Sequence, residues 1–179
     1  MTSEARRTRF EDVVTPAVEP LRRFLARRTD PATADDVLGD VLLVCWRRID
    51  EVPDDALPWA YGVARLCLAN AERSSRRQRR VAGRVATLDP PATVGPAAPG
   101  SPADDAVRAA LAALPERDAE LLRLWAWEQL TASEIAVVLD VTPNAASIRL
   151  HRAREKLRER LRKDGAAAGH EETTEGRRP

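Results

Sequence analysis

The chain has 179 residues, 44% of them apolar, 32% charged and only 4% aromatic. That is apolar mass for one compact domain or two small helical ones cored by Leu, Val and Ala, and it excludes a chain disordered throughout. The formal net charge of +1 points to no partner by itself, so the placement of the charges matters more than their sum.

In chain order, Phe10 to Arg28 predicts a helix. Val13, Val14, Val18, Leu21, Phe24 and Leu25 form its apolar stripe, and Pro16 and Pro20 mark a kink. After the turn TDPAT, Val37, Leu38, Val41, Leu42 and Cys45 recur at helical spacing up to Trp46. Asp35, Asp36, Asp40, Arg47 and Arg48 decorate the other side. A loop, DEVPDDAL, leads to a third helix from Trp59, with Val63, Leu66, Cys67 and Asn70 before a strongly basic end. Three helices with short connections predict a small bundle. Residues 87–102 (TLDPPATVGPAAPGSP) hold five prolines and two glycines, and read as a linker. Beyond it, helices are predicted over about 103–113, 116–127, 131–139 and 143–162, and residues 164–179 read as a disordered tail. No period-two alternation occurs, so the predicted fold class is all-α. Four capping pairs precede these runs: Thr8 with Glu11, Thr33 with Asp36, Ser101 with Asp104, and Thr131 with Glu134.

Catalytic motifs are missing. The glycines build neither GxGxxG nor a phosphate loop, and HExxH and GxSxG do not occur. Cys45 and Cys67 lie far apart in sequence in apolar stretches, with no histidine near, and read as small hydrophobes in a reducing compartment. We therefore expect no enzyme, no metal and no cofactor. The N-terminal residues contain no apolar leader core, and no apolar run approaches the ~20 residues of a membrane span, which predicts a cytoplasmic protein with no membrane insertion.

Two segments carry binding chemistry. Thr131 to Leu157 (TASEIAVVLDVTPNAASIRLHRAREKL) has the layout of a helix-turn-helix: a short capped helix, a turn at Asp140-Val141, and a second helix from Pro143. On that second helix Ala146, Leu150, Ala153 and Leu157 share one face. Asn144, Ser147, Ile148, His151 and Arg152 occupy the opposite one, a mixture suited to base edges, thymine methyls and phosphates. Farther along, residues 149–163 hold eight Lys or Arg against Glu155 and Glu159. The other segment, Ala69 to Arg84, has six arginines against Glu72 alone. It could release counterions from a phosphate backbone and, beside Trp59, stack on unpaired bases.

Over about residues 8 to 163 these motifs resemble, in order, the extracytoplasmic-function group of bacterial RNA polymerase sigma factors of the sigma-70 family. DPATADDVLGDVLLVCWRRID resembles that family's polymerase-binding helix, and ALPWAYGVARLCLANAERSSRRQRR its −10-reading and promoter-melting region. ALPERDAELLRLWAWEQLTASEIAVVLDVTPNAASIRLHRAREKL resembles its −35-reading domain. The resemblance implies a region 2-like domain over 8–86 and a region 4-like domain over 103–163. It implies docking to core RNA polymerase, at its clamp and flap regions, with Asp36, Asp40, Leu43 and Arg47 on the surface that meets the clamp. The loop Glu51 to Leu57 would pocket a flipped −10 base. Trp59, Asn70, Arg73, Arg76, Arg77 and Arg80 would hold −10 DNA. Thr142, Asn144, Ser147, Ile148, Arg149, His151 and Arg152 would face the −35 major groove and its phosphates. Promoter DNA is then the second partner, and the resemblance admits an anti-sigma protein as a third.

Three positions depart from the family pattern. Gly39 stands where a polar or charged helix former is usual, at a propensity cost of roughly 1 kcal/mol. Asp140 takes a turn position where Gly is usual, and Ser147 replaces a longer polar or basic side chain. Two other functions fit parts of the sequence: a stand-alone helix-turn-helix regulator, and a helical adaptor whose basic patch meets an acidic protein.

Overall fold

A computed structural model describes residues 2–82 and 102–171, and side chains within them except at 81, 82, 102–104 and 164–171. The predicted linker, apart from Pro102, lies outside the described residues, as does the Ser101 cap. Every regular element described is helical: α1 (Ser3–Val13), a 3₁₀ turn (Thr15–Ala17), α2 (Val18–Ala26), α3 (Pro31–Arg47), α4 (Ala56–Ala82), α5 (Pro102–Ala112), α6 (Glu116–Ala126), α7 (Ala132–Leu139) and α8 (Pro143–Glu171). The chain divides into two compact units, founded on α1–α4 and on the helices after the linker. Among the described residues no helix is long and apolar enough to cross a membrane, and no cluster of His, Cys, Asp and Glu could hold a metal.

The first unit is a bundle of α2, α3 and α4. Leu21, Phe24 and Leu25 of α2 meet Val37, Val41 and Cys45 of α3 and Ala60, Tyr61 and Ala64 of α4, all buried. The alanines let backbones approach, and the Phe24 and Tyr61 rings lie 4.9 Å apart. Each large side chain so buried contributes about 1.5–3 kcal/mol. Burial also pushes the Cys45 thiol up to about 11, whereas Cys67 is only half-buried.

Several boundaries differ from the sequence expectation. The single kinked helix over Phe10–Arg28 is two helices broken by the 3₁₀ turn. Pro16 has no N–H for the ladder and its ring would collide with the carbonyl four residues back, whereas Pro20 sits in the first turn of α2, where that N–H has no partner anyway. Thr8 is inside α1, and Thr2 caps it instead, accepting from the Ala5 N–H at 3.3 Å. Likewise Asp30, not Thr33, caps α3, with Pro31 in the first helical position: the Asp30 carboxylate accepts the Thr33 N–H at 3.0 Å, a bond that pulls the carboxyl below its usual range. The third helix starts at Ala56, so Ala56 and Leu57 belong to α4 and the loop is 48–55. Finally, α8 continues past Lys163 to Glu171 where a tail was expected; the run Ala166 to Ala168 consists of the strongest helix former.

The second unit packs α8 against α5 and α6. Ala110, Ala119, Leu122 and Leu124 face Ala146, Leu150 and Ala153, with Ile135 and Ala136 of α7 buried. Two polar contacts tie α6 to α8: Lys156 donates to Asp118 at 2.6 Å, and the Arg154 guanidinium lies 4.6 Å from the Trp125 ring centroid. The turn at Asp140 has φ 52°, the left-handed conformation that Asp tolerates, and the Val141 N–H donates to the Ala136 carbonyl at 3.0 Å.

Candidate nucleic-acid interface

On α8, Thr142 accepts the Ala145 N–H at 3.2 Å and so starts the helix, with Pro143 next. Ser147, Ile148, His151 and Arg152 lie three, four, seven and eight residues along from Asn144, on one side of the helix, and all are exposed, Ile148 by 45%. Arg149 is exposed too, but helical geometry turns it about 140° from Asn144, to the flank of that face. The helix before it has the reciprocal cap expected of Thr131 and Glu134. The carboxylate accepts the Thr131 N–H at 2.7 Å and the Thr131 hydroxyl at 2.6 Å, while that hydroxyl accepts the Glu134 N–H at 3.3 Å. These bonds hold the Glu134 carboxyl below its ordinary range.

The eight basic residues of α8 divide sharply. Arg154, Lys156, Arg158 and Lys163 are spent on Trp125, Asp118, Glu155 and Glu159 respectively. Arg152 on the polar face, Arg149 on its flank, and Arg160 and Arg162 farther along have no ion pair among the described residues. The charge available to a phosphate backbone therefore lies in two places, at Arg149 and Arg152 in the first turns of α8 and at Arg160 and Arg162 about two turns farther on.

Helix α4 presents a second surface. Trp59, Leu66, Asn70, Arg73 and Arg77 follow at steps of seven, four, three and four, one continuous stripe. Leu66 is 57% exposed and belongs to this stripe rather than to the core, contrary to the apolar pattern that placed it with Val63 and Cys67. Trp59 is half-buried, with the Arg48 guanidinium 5.5 Å from its ring centroid. Arg73 donates to the Asn70 side chain and to the Ala69 carbonyl at 3.1 Å. Arg76 lies off the stripe and pairs with Glu72 at 3.1 Å, whereas Arg77 and Arg80 are exposed with no ion pair among the described residues.

A third surface is the outer face of α3. Asp36, Asp40, Leu43 and Arg47 lie along it, all exposed, Leu43 by 44%. Gly39 sits among them, and a Cβ added there would meet nothing within 4 Å. Nothing inside the bundle requires a leucine on this face.

The helix predicted from Phe10 left out the first turns of α1, which carry Arg6 and Arg9. Helix α1 has no fully buried side chain, yet its arginines reach the loop that follows α3. Arg6 donates to the Trp46 carbonyl at 3.0 Å and to Asp50 at 2.9 Å. Arg9 donates to the Ile49 and Val52 carbonyls at 3.3 and 2.7 Å and to Asp54 at 3.1 Å. The only sequence signal was their spacing of three, which puts both on one side of a helix.

A family model described as Sigma-70, region 4 matches residues 104–157, the span of α5 to the middle of α8. The RNA polymerase sigma factor CarQ of Myxococcus xanthus is 31% identical over 163 residues, covering 85% of this chain and 88% of CarQ. The chain belongs to the RNA polymerase sigma factors, in the extracytoplasmic-function group of the sigma-70 family. Members of this family are transcription-initiation factors, not enzymes. A second relative, "Probable RNA polymerase sigma factor RfaY" of Xanthomonas campestris pv. campestris, is 32% identical over 147 residues, which are 76% of this chain. The sigma factor described here spans only 36% of the length of RfaY. Its fold is similar to that of the sigma factor RpoE from Bartonella quintana, solved in complex with the anti-sigma factor NepR. The TM-score is 0.58 at 20% identity, over 86% of this chain and 96% of that one.

Proposed function

We propose that this sigma factor binds core RNA polymerase and directs initiation at promoters read through both a −10 and a −35 element. In this reading Asp36, Asp40, Leu43 and Arg47 on α3 dock to the polymerase. Trp59, Asn70, Arg73, Arg76, Arg77 and Arg80 hold −10 DNA as single strand, with the loop before α4 taking one unstacked base. Thr142, Asn144, Ser147, Ile148, Arg149, His151 and Arg152 meet the −35 major groove and its backbone. The observation that carries this reading is the pair of helical faces, one in each unit, where arginines without an internal acid lie beside stacking or base-reading side chains. Capture of unpaired bases on the α4 stripe, at about 1–3 kcal/mol per stacked base, offsets the few kcal/mol needed to unstack each one. The protein works in the cytoplasm, and the region 2-like and region 4-like domains are joined through 87–102. An anti-sigma protein is a further partner, in keeping with the complex formed by RpoE.

Run-off transcription with purified core enzyme across genomic promoter fragments tests the reading. Initiation that requires this chain, at a subset of fragments sharing two spaced elements, is the expected result. Identical transcripts with and without the chain would sink it, and binding to duplex operator DNA without polymerase would favour a stand-alone regulator.

A further inference from the structure

The loop at 48–55 has little apolar anchoring: Ile49 and Val52 are buried, and its other side chains are exposed. It also begins where α3 runs out of partners for its last carbonyls. Two side chains from α1 supply partners there, Arg6 for the Trp46 carbonyl of α3 and Arg9 for carbonyls of the loop itself. The guanidinium groups of Arg6 and Arg9 take the carbonyls of Trp46, Ile49 and Val52, and the carboxylates of Asp50 and Asp54. A rigid fork of five donors suits several acceptors at once, and a cation at the C-terminal end of α3 complements that helix's dipole. Because α1 has no fully buried side chain, these polar ties hold it to the unit together with two contacts on the Trp46 ring, the edge of Phe10 at 5.5 Å between centroids and the Arg6 guanidinium at 5.8 Å.

We infer that Arg9, with Arg6, is a positioning residue for the base-capturing loop. Selectivity for the captured −10 base then depends on a helix whose guanidinium groups are turned onto the loop backbone. The inference rests on the function proposed above. A pocket discriminates between bases only if its walls keep their shape. Without Arg9 the carbonyls of Ile49 and Val52 lose their donors and turn to water, Asp54 loses its partner, and the pocket admits more than one base.

The test uses the full chain, core RNA polymerase and a promoter library randomised over the −10 element. Wild type is expected to favour one base at the captured position by about 5- to 150-fold, the usual penalty for one mismatch. Arg9→Ala should reduce that factor to within about threefold of unity. Arg7→Ala, whose guanidinium pairs with Glu11 on α1 itself, should leave it unchanged. Partial unfolding cannot imitate this result, because it lowers initiation on every template alike and keeps the ratio. Wild-type preference retained in Arg9→Ala overturns the inference while leaving the proposed function standing. Absence of chain-dependent initiation by the wild type removes both. If Arg9→Ala does not fold, Arg6→Ala, which forfeits only the Trp46 and Asp50 contacts, carries the same comparison.

Discussion

Helices α4 and α8 are both long, amphipathic and rich in arginine, yet they hold their charge differently. In α8 Arg154, Lys156, Arg158 and Lys163 are consumed within the unit, by the Trp125 ring, Asp118, Glu155 and Glu159, so that Arg149 and Arg152 near its start, and Arg160 and Arg162 about two turns on, stay available. In α4 an aromatic and an apolar side chain come first, and the unpaired arginines 77 and 80 come only late. A count of basic residues would rate the two segments as similar. Ion-pair status and position together separate them into a helix whose unpaired arginines already flank a base-reading face in its first turns and a helix whose stripe, from Trp59 to Arg77, can follow a strand. The lesson is that charge marks a nucleic-acid surface only after the internal pairs have been subtracted.

The largest expected effect breaks the comparison on the α4 side. Arg77→Ala combined with Arg80→Ala should cost promoter opening about 2–4 kcal/mol and should lower the salt slope of promoter binding by about 1.4, for two single-strand phosphates. Permanganate reactivity near the start site and a salt titration of the holoenzyme measure both. Arg76→Ala, which first has to lose its Glu72 pair, should do markedly less. Equal losses from Arg76 and Arg77 would erase the distinction between paired and unpaired arginines.

On the α8 side, Asn144→Ala or Ile148→Ala should relax preference at one −35 base pair by about 1–3 kcal/mol, visible in a selection over randomised −35 sequences. Arg158→Ala and Lys163→Ala should leave that selection unmoved, since both are committed to neighbouring glutamates. Smaller still is Gly39→Ala on α3. With open space around the new methyl, it should stabilise the chain by about 0.5–1 kcal/mol and raise the melting midpoint by about 1–4 °C.

Much of this architecture was legible in the sequence because its signals are local. The period of Val37, Leu38, Val41 and Cys45 gave α3, and the cap at Thr131 with the Asp140 turn gave the helix-turn-helix, down to the left-handed residue. Less legible was anything decided by competition between neighbours. Thr33 and Asp30 can both cap, and Pro31 settles the choice by fitting the first helical position better than any interior one. Leu66 satisfies an apolar period and still faces outward, because α4 has more apolar positions than the bundle can cover. Arg6 and Arg9 act across some forty residues of sequence on backbone carbonyls, an acceptor that every residue has and that no motif marks.

The smallest effect concerns the cap that starts the helix-turn-helix. The Thr131 hydroxyl and N–H hold the Glu134 carboxyl below its ordinary range, so the folded state prefers the ionised form more strongly than the unfolded state does. The sign follows from linkage. The stabilisation is fully present above the unfolded value and is lost as the pH falls through the lower, folded one. Glu134→Gln keeps an oxygen that can accept the Thr131 N–H but carries no charge, so it isolates the ionic part of the cap. At pH 7 wild type should melt slightly higher than Glu134→Gln, and the gap should close between about pH 5 and pH 3. Asp30, Glu51 and Glu159 are shifted the same way and titrate over the same window in both proteins, so their contributions cancel in the difference. A gap that widens in acid would mean that the protonated carboxyl is the better cap, and that the short hydroxyl contact is a bond to a neutral acid.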